Sequence, residues 1–331
     1  MNSFGRVFKV QIFGESHGLG VGICIDGCPA GLSVEEADFE PDLSRRRSGA
    51  KGTTPRKEAD LPELMSGIFN GKTTGAPITI FFKNMNTRSG DYANLLSSPR
   101  PGHADYVGKV KFGGFNDYRG GGHFSARLTT GIVAAGVLAK KLLPQITIQA
   151  FLTEAGGSQH IEEAIDKALA DHNSIGGIVE CRVSGLPVGI GEPFWDSLES
   201  VLSHAVFAIP AVKGIEFGSG FQAAKMTGWE HNDSIVDVSG KTETNYAGGI
   251  NGGISNGNEL VFRVAIKPTS SIAKPQQTMN FETKKVDELI IQGRHDACVA
   301  LRVPPILEAM TAIVLVDFML LEQRIPRVNK H

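Results

Sequence analysis

Short segments in which apolar and polar residues alternate recur along the chain, and this pattern is typical of strands that bury one face. A second pattern, with apolar residues three or four positions apart, predicts amphipathic helices. Strands are expected at residues 7–13, 20–26, 76–83, 177–183 and 259–266. Helices are expected at residues 61–69, 126–143, 161–172, 196–209 and 306–321, and another opens near residue 33 and leads towards residue 49.

Residues that favour helix starts precede several of these segments. Ser33 with Glu36, and Asp196 with Glu199, have the spacing of a capping box, and Ser125 is placed to cap the helix at 126–143. The region between residues 84 and 122 has few apolar residues, and loops of that length are usually functional or disordered. Its aromatic and paired charged residues favour a functional loop.

The mixture of alternating strands and long helices predicts a single α+β domain over residues 1–331. The two halves of the chain contain similar short sequences, GIFNG and GISNG, and each precedes a strand that ends in a lysine, Lys83 or Lys267. Each half later runs from a histidine-bearing loop into a long apolar helix. An internal duplication is one explanation of this similarity, and chance is the other.

The composition is that of a soluble globular protein, because 41% of the 331 residues are hydrophobic and 21% are charged. The 33 basic and 35 acidic side chains nearly cancel, so no global field indicates nucleic-acid or membrane binding. The four cysteines lack zinc-site spacing and are expected to be reduced thiols. With no signal-peptide pattern and no apolar segment long enough to span a bilayer, we expect a cytoplasmic protein.

Glycine is the compositional exception, since its 40 residues gather in short clusters beside charged residues. The clearest cluster is RGGGHFSAR, residues 119–127. Its bare backbone would let N–H groups approach an anion, and the start of the following helix would add positive charge. Lys267 with the hydroxyl groups of residues 269–271 would form a second anion site. Two such sites indicate a ligand with several phosphates, or two ligands.

Arginines and histidines recur in the same loops. The arginines of residues 45–47, 100, 119, 127 and 294 lie near glycines, an arrangement that fits bidentate recognition of phosphate and carboxylate. A solvated surface face is the competing interpretation of the run at 45–47. His17 and His103 are placed in these loops and are suited to proton transfer near neutral pH. Together they favour an enzyme that acts on a polyanionic phosphorylated substrate without a metal ion.

Three familiar motifs are excluded by their context. GESHG matches a serine-hydrolase elbow, but a predicted strand follows it where a helix is required. GIFNGKT has its glycines one residue too close for a phosphate-binding P-loop, and no helix follows. GLGVG also lacks the following helix of a dinucleotide site.

Eight motifs resemble those of the chorismate synthase family and occur in the family's order between residues 14 and 296: GESHG, DLSRRRSG, RPGHADY, DYRGGGHFSAR, AVKGIEFGSGF, GGISNG, KPTSS and GRHD. The resemblance implies a sandwich of antiparallel sheets and helices. It also implies anti-1,4-elimination of phosphate from 5-enolpyruvylshikimate 3-phosphate to give chorismate. Reduced FMN without net redox change, a place in the shikimate pathway to aromatic amino acids, and a homotetramer are further implications.

The resemblance also assigns roles by position. His17 is expected to protonate the departing phosphate, His103 to partner the flavin ring, and Asp296 to assist proton removal through the flavin. The expected substrate-binding residues are Arg45, Arg46, Arg47 and Arg127. The expected flavin- and NADP-binding residues are Arg46, Lys51, His123, Phe124, Ser125, Pro210, Ala211, Gly252, Lys267, Pro268, Thr269, Ser270, Ser271 and Arg294. Departures from the family's commonest residues are His123 for arginine, Pro210 for asparagine and Ala297 for proline.

NADPH would serve only to reduce the flavin, and since no nicotinamide fingerprint is visible, a separate flavin reductase is the expected partner. Two other classes compete with this interpretation. One is a different phosphate-handling lyase or transferase, and the other is a module that binds RNA or another polyanion. Phe112, Phe115 and Tyr118 lie among basic residues and would suit stacked bases, but the near-neutral net charge counts against nucleic acid.

Overall fold

The computed structural model describes residues 2–56, 58–87, 95–291 and 295–329. Its first sheet comes from the start of the chain and is antiparallel throughout, with the strand order β1–β2–β3–β7–β4. Strands β5 and β6 form a separate hairpin between β4 and β7. The bounds are β1 (Ser3–Phe4), β2 (Lys9–Gly14), β3 (Gly20–Asp26), β4 (Glu63–Ser66), β5 (Ile68–Phe69), β6 (Lys72–Thr73) and β7 (Ile78–Lys83).

The second sheet is also antiparallel, and its strand order is β10–β13–β9–β8. Two further hairpins are formed by β11 with β12 and by β14 with β15. The bounds are β8 (Thr147–Ala155), β9 (Gly177–Ser184), β10 (Val212–Phe217), β11 (Ile250–Asn251), β12 (Ile254–Ser255), β13 (Leu260–Ile266), β14 (Gln276–Asn280) and β15 (Lys285–Leu289). Burial alternates strictly along β13, as the sequence pattern predicts.

Two long helices, α3 and α7, lie between the sheets. Helix α3 packs on β3 and β7, α7 packs on β8 and β9, and the two helices pack on each other. The layers therefore run sheet, helix, helix, sheet, which confirms the α+β class. The helices are α1 (Glu40–Arg46), α2 (Asp105–Lys111), α3 (Thr129–Lys141), α4 (Ile161–Ala170), α5 (Leu198–Val206), α6 (Gly228–His231) and α7 (Pro304–Leu321).

A glycine allows α3 and α7 to approach closely. A Cβ atom built on Gly136 of α3 would lie 2.2 Å from Cβ of Ala309 and 2.5 Å from its Cα on α7. On the opposite side of α3, a Cβ atom on Gly131 would lie 3.1 Å from Cβ of Ile23 in β3. The small residues of α3 thus let one helix contact both the first sheet and α7.

Helix α7 carries two carboxylates in an otherwise apolar sequence, and both join it to other elements. Glu308 accepts hydrogen bonds from Arg45 of α1, Lys140 of α3 and the backbone N–H of Ala150 in β8. Asp317 accepts backbone N–H groups of residues 6–8, which connect β1 to β2. Because these donors surround both carboxylates, the buried charges of Glu308 and Asp317 are compensated.

The two halves of the chain have the same topology, which supports internal duplication. In each sheet, four strands that follow one another along the chain adopt the spatial order first, second, fourth, third: β2–β3–β7–β4 and β8–β9–β13–β10. A short hairpin separates the third strand from the fourth in both halves, and these hairpins carry GIFNG and GISNG. A long helix, α3 or α7, later covers the inner face of each sheet.

The structure corrects several local predictions. Residues 61–69 are wrong as a helix, because they form the edge strand β4 and strand β5. The loop at 84–122 contains the helix α2, and the cap of α5 is Ser197 rather than Asp196, with its hydroxyl accepting the N–H of Ser200. Near the start of the chain, Glu35 and Asp38 form the capping box expected from Ser33 and Glu36.

Within the described residues, α7 is the one helix whose length and apolar composition would suffice to cross a membrane. It is 83% buried over that length, between α3 and the second sheet. A helix that is apolar on all sides is expected to be buried, and here protein surrounds it.

We expect Gly136→Ala to lower the free energy of unfolding by about 1–3 kcal/mol, because the added methyl group overpacks the contact with Ala309. This loss would occur although alanine is the better helix former. Gly228→Ala is the control, since a Cβ atom there meets nothing within 4 Å and is expected to change stability by less than about 0.5 kcal/mol. Urea denaturation measures both. Equal stability of the two variants would contradict the close packing.

Candidate active site

A cavity of about 690 Å³ lies where the segments preceding α3 and α7 meet loops from both halves of the chain. Its walls come from Ile12 of β2 and from six further parts of the chain, within residues 46–60, 100–104, 120–132, 207–213, 267–271 and 295–302. Cationic side chains outnumber anionic ones on these walls. The cations are Arg46, Arg56, Arg100, Arg127, Lys213, Lys267 and Arg302, and the anions are Glu58, Asp60 and Asp296. The cavity is therefore suited to a ligand with several negative charges.

The triple glycine forms a left-handed turn at the cavity wall. Gly120, Gly121 and Gly122 have φ values of 58°, 83° and 52°, which residues with a Cβ atom rarely adopt. The turn also needs glycine for space, because a Cβ atom on Gly120 would lie 2.1 Å from Cε1 of His17. Ser125 accepts the N–H of Arg127 and caps the short 3₁₀ turn that leads into α3, in agreement with its predicted capping role.

His17 lies beside this glycine turn and is 8% exposed. Its Nδ1 is 3.2 Å from Oγ of Ser16, which donates in turn to the carbonyl oxygen of Gly120 at 3.0 Å. His17 is therefore packed against Gly120, which lines the cavity, and is not itself one of the lining residues.

His103 lines the cavity on the other side of the same turn. Its Nδ1 is 2.6 Å from Oδ1 of Asp105, whose carboxylate also accepts Nε and Nη2 of Arg100, each at 2.7 Å. Its Nε2 edge faces the glycine turn, because a Cβ atom on Gly121 would lie 3.6 Å from Nε2. The structure therefore brings His17 and His103 to two sides of residues 120–122.

The three consecutive arginines point in different directions. Arg46 alone reaches the cavity wall; it is 2% exposed and donates to Asp60, Thr129 and the carbonyl oxygen of Ala126. Arg45 pairs with Glu308, and Arg47 pairs with Glu40. Lys51 pairs with Asp166 on α4. The residues Arg45, Arg47 and Lys51 are absent from the lining of the cavity within this chain.

Asp60 joins the two buried arginines of the predicted substrate site. Its carboxylate accepts hydrogen bonds from Arg46 and Arg127, and it adopts a left-handed φ of 51°. Burial alone would raise the pKa of Asp60, but Arg46 and Arg127 outweigh burial and hold that pKa below its usual value. Burial and Arg302 lower the pKa of Arg46 to about 9, so Arg46 is still charged at neutral pH.

The KPTSS segment forms a second polar wall. Lys267 and Ser270 both donate to the carbonyl oxygen of Gly102, and Arg100 donates to Ser271. Oγ1 of Thr269 is buried and has no hydrogen-bond partner among the described residues. A buried hydroxyl at a cavity wall without a partner fits a ligand that supplies one.

The flavin-loop residues predicted around positions 123 and 210 are also placed at the cavity. Phe124, Ser125, Pro268, Pro210 and Ala211 line it, and Ala211 has a left-handed φ of 72°. His123 lines it as well, but its Nδ1 donates to the carbonyl oxygen of Gly14. Gly252 lies in the β11–β12 hairpin and is not part of the lining.

Asp296 is anchored at the cavity edge. Its Oδ1 accepts the backbone N–H of Thr54 at 2.8 Å, and Nη1 of Arg302 lies 3.4 Å from its Oδ2. Arg294, predicted to bind the flavin, lies outside the described residues. Among the residues that are described, no group of three or more metal-ligating side chains is present.

Sequence reasoning missed five charged groups at or beside the cavity: Glu58, Asp60, Asp105, Lys213 and Arg302. Asp105 follows His103 by two residues in RPGHADY, so spacing alone could have suggested the pair. Arg302 donates to the carbonyl oxygen of Arg46, which is 256 residues away in sequence, and no local pattern indicates that contact.

Comparisons with known proteins all give one family. A family model for chorismate synthase matches residues 8–320. A chorismate synthase from Chitinophaga pinensis is 62% identical over 332 residues that cover 100% of both chains. One from Dehalococcoides mccartyi is 46% identical over 361 residues that cover 99% of both. A solved structure, a crystal structure of chorismate synthase, matches with a TM-score of 0.74 and 26% identity, covering 96% of this chain and 93% of that one.

These matches show that this α+β sandwich with its cationic cavity is a lyase. The chain belongs to the chorismate synthase family, as its eight motifs predict.

We expect Arg45→Met to lower the free energy of unfolding by about 1.5 kcal/mol, since it removes charge-assisted hydrogen bonds from the buried Glu308. Arg47→Met is the matched control, because it breaks only a surface pair with Glu40, worth about 0–1 kcal/mol. Urea denaturation measures stability, and calorimetry with the phosphorylated substrate measures Kd. An unchanged Kd in both variants would show that Arg45 and Arg47 do not bind the substrate. Weaker substrate binding by Arg45→Met would instead support the predicted role of Arg45 in substrate binding.

Proposed function

We propose that this protein catalyses the anti-1,4-elimination of phosphate from 5-enolpyruvylshikimate 3-phosphate to give chorismate, with reduced FMN as a cofactor that is not consumed. The observation that carries the proposal is the cavity in which seven cationic side chains face three anionic ones. The substrate has one phosphate and two carboxylates, and FMN adds another phosphate. Such a set of anions matches the charge excess of the walls.

The residues present fit a flavin phosphate and ring. The orphaned hydroxyl of Thr269 and the amine of Lys267 offer hydrogen bonds to a phosphate, and the volume admits more than one ligand. The residues proposed to hold the flavin are His123, Phe124, Ser125, Pro210, Ala211, Lys267, Pro268, Thr269, Ser270 and Ser271. Gly252 and Arg294 retain that proposed role from the family motif alone. When bound, reduced FMN supplies electron density to the reacting substrate ring.

Elimination breaks a C–O bond to phosphate and a C–H bond elsewhere on the ring, so the protein must manage two protons. We assign His17 to the departing phosphate, because it lies beside the glycine turn and histidine is suited to proton transfer near neutral pH. We assign Asp296 to assisting removal of the ring proton. The N–H of Thr54 and the guanidinium of Arg302 fix the position of its carboxylate.

The remaining assignments belong to the same proposal. We propose a single catalytic domain over residues 1–331, a homotetramer and a cytoplasmic location, which fits the free state of all four cysteines. The family motif alone assigns Arg46 and Lys51 as the residues that would contact NADP on this chain. We propose instead that NADPH reduces flavin on a separate reductase, because GLGVG leads into β3 and not into the helix of a nicotinamide site.

We expect phosphate release from the enolpyruvyl substrate only in the presence of reduced FMN. The measurement is an anaerobic phosphate assay with chemically reduced FMN, beside the same assay in air with oxidised FMN. A further arm without flavin reports the background. Equal phosphate release with oxidised flavin would contradict the proposed reaction.

We expect His17→Ala to lower kcat by roughly 10²–10⁴-fold, as loss of a general acid does, while substrate binding persists on the cavity cations. Asp296→Asn keeps an oxygen that accepts the N–H of Thr54, so it is expected to slow single turnover and to spare both dissociation constants. His204→Ala is the control, because that ring contacts Phe4 and is not part of the cavity lining. A fully active Asp296→Asn enzyme would remove this carboxylate from the mechanism.

A further inference from the structure

The carboxylate of Asp105 has four hydrogen-bond donors around it, although the proposed reaction assigns this residue no role. Oδ2 accepts the backbone N–H of Arg100 at 3.1 Å and Nε of the same residue at 2.7 Å. Oδ1 accepts Nη2 of Arg100 at 2.7 Å and lies 2.6 Å from Nδ1 of His103. Its side chain is 6% exposed, so water contributes little to this arrangement.

The proton of His103 follows from this geometry. An ionised carboxylate can only accept hydrogen bonds, and His103 and Arg100 hold the pKa of Asp105 far below its usual value although burial opposes them. Nη2 of Arg100 also lies 3.0 Å from Nδ1 of His103. The carboxylate is the nearer neighbour at 2.6 Å and would repel an unprotonated Nδ1, so Nδ1 is the protonated nitrogen. Nε2 is left with a lone pair on the edge of the ring that faces Gly121.

Three charged groups set the charge of the ring. Burial lowers the pKa of His103, Asp105 raises it, and Arg100 and Lys267 lower it again, with a net decrease. Arg100 thus offsets most of the charge of Asp105, while the hydrogen bond from Nδ1 remains. The ring is neutral at neutral pH, and its orientation is fixed.

The backbone around the ring is also held. Arg100 donates to Ser271, and Lys267 and Ser270 donate to the carbonyl oxygen of Gly102, the residue before His103. The loop that carries His103 is therefore tied to the KPTSS segment on one side and to Asp105 on the other. The ring cannot easily rotate to exchange its two nitrogens.

We propose that Asp105 is a positioning residue that keeps His103 protonated at Nδ1, so that Nε2, on the ring edge beside the glycine turn, is a hydrogen-bond and proton acceptor. The proposal deepens the proposed function, on which the importance of His103 rests. The proposal also specifies the direction of the hydrogen bond that His103 can make. In the ligand-free protein, Nε2 can accept a hydrogen bond or a proton and cannot donate one. A proton taken up there would leave a cation whose charge faces Asp105.

The first test needs no activity. Imidazole ¹⁵N NMR of the full-length, ligand-free protein at mildly alkaline pH reports which nitrogen carries the proton, and the spectrum of His103→Gln identifies the signals. We expect Nδ1–H in the wild type. In Asp105→Asn, whose amide can donate as well as accept, we expect a substantial population of Nε2–H. Asp317→Asn is the matched control, since that buried carboxylate binds only distant backbone N–H groups and its loss is expected to leave the His103 signals unchanged.

The second test uses turnover with reduced FMN. We expect Asp105→Asn to lower kcat by about 10–100-fold, the scale typical of losing a group that orients a functional imidazole. KM is expected to change less than kcat, and the pH profile of kcat/KM is expected to shift, whereas Asp317→Asn shifts neither. Nε2–H in the wild type, or an unchanged tautomer in Asp105→Asn, would overturn the proposal. An inactive wild type with the expected NMR result would instead contradict the proposed function and leave the positioning role intact.

Discussion

The packing of α7 on α3 is the constraint on which the rest of the structure depends. The inner face of each sheet is covered by one helix. The two helices must then bury their remaining faces against each other. Gly136 makes this possible by letting the backbones approach at Ala309. Because the segments that precede the two helices end at the same cavity, a shift between the helices would also displace Arg127 and Arg302.

The cationic walls are largely organised by the protein itself. Arg46, Arg100 and Arg127 already donate to Asp60, Asp105 or backbone carbonyl groups, so their positions do not depend on a ligand. Removing one partner of a buried ion pair typically costs about 3–5 kcal/mol, so these acids contribute to stability as well as to placement. Lys213 differs, since it is exposed and pairs with no carboxylate of the described residues. It is the cation most available to an incoming anion.

The sequence predicted the parts of this fold that depend on local patterns. Strict alternation identified β13, and continuous apolarity identified α7 as a buried helix. The helix predicted at 61–69 failed because its apolar residues also suit an edge strand, and pairing with β7 decides between the two. Position in the chain cannot reveal such pairing.

The candidate site was predictable to a similar extent. The glycine turn and the KPTSS segment were found because their composition is unusual. The run at 45–47 could not be resolved, since each residue of a helix turns about 100° from the last, and only the fold decides which arginine faces inward. Asp60 and Arg302 were missed because their partners are distant in sequence.

The place of α7 in the chain has a consequence for biosynthesis. All fifteen described strands and α3 leave the ribosome before α7 does. At roughly 5–20 residues per second, the inner face of the second sheet waits several seconds after β13 is made for its covering helix. Over that interval the nascent chain exposes an apolar surface that only its own later segment can cover, and such transiently exposed surfaces favour aggregation of unfinished chains.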